Sequence, residues 1–173
     1  MLPLLLAAAL SVTVVGAPHD ARIDDVNAAV AFWNHELAEL GLRTRLHRAS
    51  FVSARVPRDV ERIRDSYSDE PADIVIVLSQ GEFPSVTMPA DGDDSSVIAI
   101  RTADVPPLSE PNVARNVIAH EIGHALGLDH NGDASKLMCG RPAPCRPDAF
   151  VSDREHFFPL TAREKAELKR RLR

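Results

Sequence analysis

Residues 120–130 read His-Glu-Ile-Gly-His-Ala-Leu-Gly-Leu-Asp-His, so three imidazoles, a carboxylate and a glycine fall within eleven positions. At about 100° per residue, His120 and His124 differ by about 40° around a helix axis and by one turn along it. Both rings project from the same side and can share one metal ion. Glu121 sits about 100° round from His120, near such an ion but poorly aimed to bind it. Gly127 can take the left-handed backbone that other residues resist. A turn there ends the helix, swings the chain back and lets His130 supply a third ligand from outside. Three neutral imidazoles with an open fourth position describe a catalytic zinc site rather than a structural one. Zinc lowers the pKa of water it binds towards 7, and Glu121 is placed to take that proton and later pass it to a leaving amine. The combination suits hydrolysis of an unactivated amide. His-Glu-x-x-His alone turns up by chance; with Gly127 and His130 at their offsets a chance match is rare.

These side chains need a scaffold, and the flanking pattern supplies one. Val113, Val117, Ile118, Ile122 and Leu126 recur at helical spacing before Gly127, which predicts a helix over 112–126. Ile23, Val26, Val30, Trp33, Leu37 and Leu40 predict another over 21–41, with Gly41 as its stop. Residues 72–78 form a continuous run rich in β-branched side chains, as expected of a strand buried on both faces in a largely parallel sheet. Residues 97–100 read as a second short strand and 43–52 as a further strand. The stretch 57–67 reads as a short helix or a loop, and 81–96 as a loop. Four prolines between 131 and 159 argue against regular structure there. Thr161 with Glu164 three residues on is a capping box that opens a last helix.

The chain has 173 residues, 45% apolar and 26% charged, which fits one globular domain and excludes a disordered chain or a multi-span membrane protein. A net charge of −5 argues against nucleic acid as the main partner. Residues 2–15 are almost all apolar. That run is shorter than the roughly 20 residues of a membrane-spanning helix and suits the centre of a secretory signal peptide, with a cut after Ala17. The expectation is a leader over 1–17, a single catalytic domain over 18–173, and a secreted location, extracellular or periplasmic. A buried N-terminal helix is the alternative. Export would permit Cys139 and Cys145 to form a local disulfide, pinning the loop after Met138. A cysteine thiolate on the zinc is the lesser alternative.

The pattern His-Glu-x-x-His-x-x-Gly-x-x-His resembles the metzincin metallopeptidases. Met138, in Ser135-Lys136-Leu137-Met138, lies eight residues past His130, similar to the matrixin branch. The resemblance implies an α+β fold: a twisted, mostly parallel sheet packed against an N-terminal helix and the zinc-binding helix, with a C-terminal helix after an irregular Met-turn region. It implies a zinc-dependent endopeptidase with His120, His124 and His130 as ligands of one catalytic Zn2+, Glu121 as general base, and Gly127 and Met138 as structural residues near the site. The substrate would be a protein or peptide laid along an edge strand near residues 83–88. Calcium (Ca2+) is also implied, with Asp91, Asp93 and Asp94 as candidate residues, although their spacing fits no calcium motif. The only tyrosine is Tyr67, so the tyrosine that astacins and serralysins carry after the methionine is missing. Matrixins have Ser where this chain has Asn131, and Tyr-Pro where it has Cys139-Gly140. No histidine lies between His47 and His120, so a second, structural zinc is not expected, nor is a cysteine-bearing pro-segment. Arg141, Arg146 and Arg154 hint at a pocket loop tolerant of acidic side chains. The rival functions are a zinc-binding regulatory protein without turnover and a zinc hydrolase of a non-peptide amide.

Overall fold

The computed structural model describes residues 9–92, 94–104, 106–140, 145 and 156–172. The elements run β1 (Ala9–Gly16), α1 (Arg22–Glu39), β2 (Arg45–Ser53), α2 (Val60–Tyr67), β3 (Ile74–Leu78), β4 (Val86–Met88), β5 (Ser96–Ile100), α3 (Pro111–Ala125) and α4 (Ala162–Arg171). The strands form one five-stranded sheet in the order β2-β1-β3-β5-β4. β1, β2, β3 and β5 are parallel, and β4 lies antiparallel to β5 at one edge. The mixed architecture with a mostly parallel sheet is the one expected.

A parallel sheet must be covered on both faces, and the alternation of side chains along each strand shows how. Val12, Val14, Ile74, Ile76, Leu78, Ile98 and Ile100 point to one face, where they meet Val26, Trp33 and Leu37 of α1 and Ile118 and Ile122 of α3. Val15, Val75, Val77, Val97 and Ala99 point to the other, where Ile63 of α2 covers them. At the carboxyl ends of β3 and β5, the buried Arg22 pairs with Asp20 at 2.6 Å. Its Nη1 donates to the carbonyls of Ser79 (2.8 Å) and Arg101 (2.6 Å). This ion pair is therefore hydrogen-bonded on both sides, the condition under which a buried charge is tolerated.

Part of the stretch expected as a leader over residues 1–17 forms β1. Residues 9–16 lie inside the sheet between β2 and β3, and residues 12–15 are buried. Residues 9–16 are strand rather than the buried helix of the alternative reading. An apolar run reads the same whether it is bound for export or for the middle of a parallel sheet. The β-branched Val12, Thr13, Val14 and Val15 favour the strand. Residues 1–8 lie outside the described residues. Among those described, no helix is long and apolar enough to cross a membrane.

The helix expected over 21–41 is α1, closed by Gly41 at φ 72°. The 57–67 stretch becomes α2, whose N-cap Asp59 accepts from the Arg62 N–H at 3.1 Å. The 81–96 loop contains β4, too short for a period to show. α4 opens on the expected Thr161–Glu164 capping box.

The three buried valines of β1 stabilise the fold by about 1.5–3 kcal/mol each, and β1 also carries the ladders to both neighbours. Together these approach the 5–15 kcal/mol typical of a whole domain. A protein beginning at Pro18 is therefore expected to show no cooperative thermal transition by circular dichroism. A soluble, cooperatively melting product of that length would restore the leader reading.

Candidate metal centre and active site

α3 starts with Pro111 at its first position, where the missing N–H does no harm. It is locked to α1 by the Trp33 Nε1–H, which donates to the Ala119 carbonyl at 2.9 Å. The buried Asn116 ties it to the last part of the chain: its Nδ2 donates to the His156 carbonyl (2.9 Å) and its Oδ1 accepts from the Phe158 N–H (2.9 Å). The helix ends as the sequence predicts. Gly127 takes φ 88°, its N–H donates to the His124 carbonyl, and the Leu128 N–H donates to the Gly123 carbonyl, both at 2.9 Å. This is a Schellman turn, and three residues later His130 returns to the helix face.

The three imidazoles meet. Nε2–Nε2 separations are 3.1 Å between His120 and His124, 3.2 Å between His120 and His130, and 3.0 Å between His124 and His130. The His120 Nδ1 lies 2.8 Å from the Leu137 carbonyl and the His124 Nδ1 lies 2.7 Å from the Leu128 carbonyl. A carbonyl can only accept, so in both neutral rings the proton sits on Nδ1 and Nε2 presents a lone pair. Lone pairs facing one another at this distance repel unless a cation lies between them. Tetrahedral zinc with Zn–N bonds of about 2.0–2.1 Å requires N–N separations of about 3.3–3.4 Å, within a few tenths of those seen. The donor set therefore fits zinc, and the Leu137 and Leu128 carbonyls hold the His120 and His124 rings as such carbonyls hold zinc-bound histidines. Among the described residues these three histidines are the one group of three or more potential ligands close enough to hold an ion.

Below the triad the chain is pinned by a small set of contacts. Met138 is fully buried, and its Sδ would lie 2.5 Å from a Cβ added to Gly123, with Trp33 also in contact range at 3.1 Å. The Asn131 N–H donates to the Met138 carbonyl (2.8 Å) and the Gly140 N–H donates to the Asn131 carbonyl (2.9 Å). A Cβ on Gly140 would overlap the His130 ring, so glycine there lets the ring lie against the backbone. Between them, Ser135 donates through its N–H (2.9 Å) and hydroxyl (2.7 Å) to Asp133, which holds the Asp133 carboxyl below its ordinary range. The Asn131 Nδ2 donates to Glu164, whose other carboxylate oxygen accepts the Thr161 N–H at 2.6 Å. Cys139 and Cys145 form the expected disulfide.

Glu121 is 6% exposed. Its Oε2 lies 2.8 Å from the Thr87 hydroxyl, which is also 2.8 Å from the Glu121 carbonyl. Thr87 is the middle residue of β4, so the edge strand touches the candidate base directly.

The sequence singled out His120, Glu121, His124, Gly127, His130, Met138 and the cysteine pair, and the structure brings all of them into one region. It missed Gly123, Gly140, Asn131, Glu164 and Thr87. Glycine inside a strong helical pattern was the available signal for Gly123, since such a glycine needs a packing reason. Of the calcium candidates, Asp93 lies outside the described residues, and Asp91 and Asp94 share a turn in which the Asp94 N–H donates to the Asp91 carbonyl at 3.3 Å. Calcium has no support here. Tyr67 packs on the α2 face of the sheet. Arg141, Arg146 and Arg154 lie outside the described residues.

A family model described as Met-zincin matches residues 111–140, a span that holds α3, the Gly127 turn, the triad and Met138. No curated protein matches the chain. Among solved structures the fold is similar to archaemetzincin from Methanopyrus kandleri, with a TM-score of 0.56 and 16% identity, over 95% of this chain and 96% of that one. It is also similar to a chain in a structure described as a chaperone-substrate complex, with a TM-score of 0.56 and 15% identity, over 79% of this chain. This chain spans 31% of the length of that second protein. At such identities the likeness is one of fold, and that fold is metzincin-like.

Three glycines separate packing from site geometry. Alanine at Gly123 would gain about 1 kcal/mol of helix propensity, but the contact with Met138 outweighs it. A net loss of about 1–3 kcal/mol is expected, read as a fall of roughly 2–4 °C in melting temperature per kcal/mol. Gly140→Ala should weaken zinc binding about 10–100-fold in chelator competition by displacing His130. Gly132→Ala, with nothing within 4 Å of the new Cβ, should change neither. Equal behaviour of all three variants would contradict this account of the packing.

Proposed function

We propose that this protein is a zinc-dependent endopeptidase of matrixin-like metzincin type, with His120, His124 and His130 holding the metal and Glu121 acting as general base. The observation that carries the reading is the convergence of the Nε2 atoms to 3.0–3.2 Å while carbonyls claim the His120 and His124 Nδ1 protons. Zinc, when bound, supplies Lewis acidity and acidifies water. Glu121 takes the proton of the attacking water and returns it to the departing amine. Its near-complete burial beside His120 keeps bulk water from competing for that role.

The substrate is an extended peptide. β4 is the antiparallel edge of the sheet and packs beside α3, and among the described residues its outer edge pairs with no strand. An extended peptide can add to such an edge by main-chain hydrogen bonds. The matrixin-like assignment rests on the spacing of Met138 from His130. Asn131, where matrixins carry Ser, here ties the triad loop to Glu164. Residues 9–15 of the apolar run lie in β1, which weakens the sequence argument for secretion. The Cys139–Cys145 disulfide is the observation that still supports an oxidising compartment.

The test is incubation with a diverse peptide library, with and without a zinc chelator, read by mass spectrometry. Chelator-sensitive internal cuts are expected. Their complete absence refutes the peptidase reading and leaves a binding protein or a hydrolase of non-peptide amides. Glu121→Ala should keep one zinc per chain and lose about 10²–10⁴-fold in cleavage rate; wild-type cleavage by that variant would sink the mechanism.

A further inference from the structure

We infer that Thr87 is a positioning residue that orients the Glu121 carboxylate from the edge strand, and so links peptide docking to the placement of the base. The inference rests on the peptidase reading for its kinetic consequence, but its structural basis is independent of it.

β4 has three residues, and alternation gives them two directions. Val86 and Met88 pack with the cluster under α2. Thr87 pairs across from Ile98, whose side chain belongs to the α1 and α3 face. Thr87 is thus the one β4 side chain turned towards α3, and it arrives at Glu121. Its hydroxyl has a single proton and two acceptors at 2.8 Å, the Glu121 Oε2 and the Glu121 carbonyl. The carbonyl lies inside α3 and already accepts in the helical ladder, whereas a carboxylate makes the stronger, charge-assisted bond. The proton therefore goes to Oε2. This bond sets the side-chain torsions of Glu121 and the plane of its carboxylate. The role needs a hydroxyl on a rigid strand; a valine of the same shape would fill the space without orienting anything.

The placement also has a kinetic sense. A peptide added to the outer edge of β4 would brace the strand that holds Thr87. Orientation of the base would then tighten when substrate is in place, and its loss should appear in turnover rather than in binding. Displacing a catalytic group by an ångström can cost about 100-fold in rate.

The experiment compares full-length wild type, Thr87→Val and Thr87→Ser for zinc content, melting temperature, kcat and KM, with a crystal structure of Thr87→Val. The expected result is a fall of about 10–100-fold in kcat for Thr87→Val. Its KM, zinc content and melting temperature should stay unchanged, and Thr87→Ser should recover most of the rate. Wild-type kcat in Thr87→Val overturns the inference. So does a rate loss that tracks lost zinc, or equal impairment of the serine variant, which would make the methyl group the cause. If the wild type cleaves no peptide, the function proposed above fails on its own. The crystal structure then decides for Thr87: a swung Glu121 carboxylate supports the tether, and an unmoved one overturns it.

Discussion

A helix can align two imidazoles on one face, but it cannot arrange three donors around a point, so the site depends on how the chain leaves α3. After His124 it has six residues in which to stop, reverse and return. Gly127 does this with φ 88°, and the Gly123 and His124 carbonyls that the helix leaves open are taken by the N–H groups of Leu128 and Gly127. Glycine is required there because a side chain would strain the left-handed backbone. The reversal brings the Leu128 carbonyl to the His124 Nδ1, so the turn that returns the chain also sets the tautomer of the ligand before it.

Once His130 is back, Asn131 keeps it there. Its backbone pairs with Met138 and Gly140, and its side chain reaches the same Glu164 that caps α4. One residue thus joins the reversing turn, the segment beneath the triad and the C-terminal helix. The disulfide at Cys139 closes the far side of that segment. Trp33 and Asn116 hold α3 itself against α1 and the 156–158 strand of coil. These bonds fix the three Nε2 atoms around one point, the arrangement a single cation requires.

Much of this was legible in residue order because it depends on local periodicity. The 3.6-residue period places His120 and His124 together whatever surrounds them. The Thr161–Glu164 box and the Gly41 stop are equally local, and both stand where expected. Two elements misled for opposite reasons. β1 is a long apolar run, and hydrophobicity alone does not say which apolar phase will receive it. β4 is so short that only its pairing with β5 makes it a strand. The Met-zincin match covers 111–140, the part of the chain that holds the histidine spacing, the Gly127 turn and Met138.

The sequence by itself determined which side chains could hold a metal, that a glycine must turn the chain between the second and third of them, and that a carboxylate follows the first. These are consequences of helix geometry and of glycine's freedom, and they act within eleven residues. Only the tertiary structure decided that residues 9–16 are a central strand, that Gly123 and Gly140 make room for Met138 and His130, and that Thr87 and Glu164 reach Glu121 and Asn131 from 34 and 33 positions away. Contacts between residues so far apart leave no period in the sequence. They follow from which faces the sheet buries, and that is settled only when the whole chain packs at once.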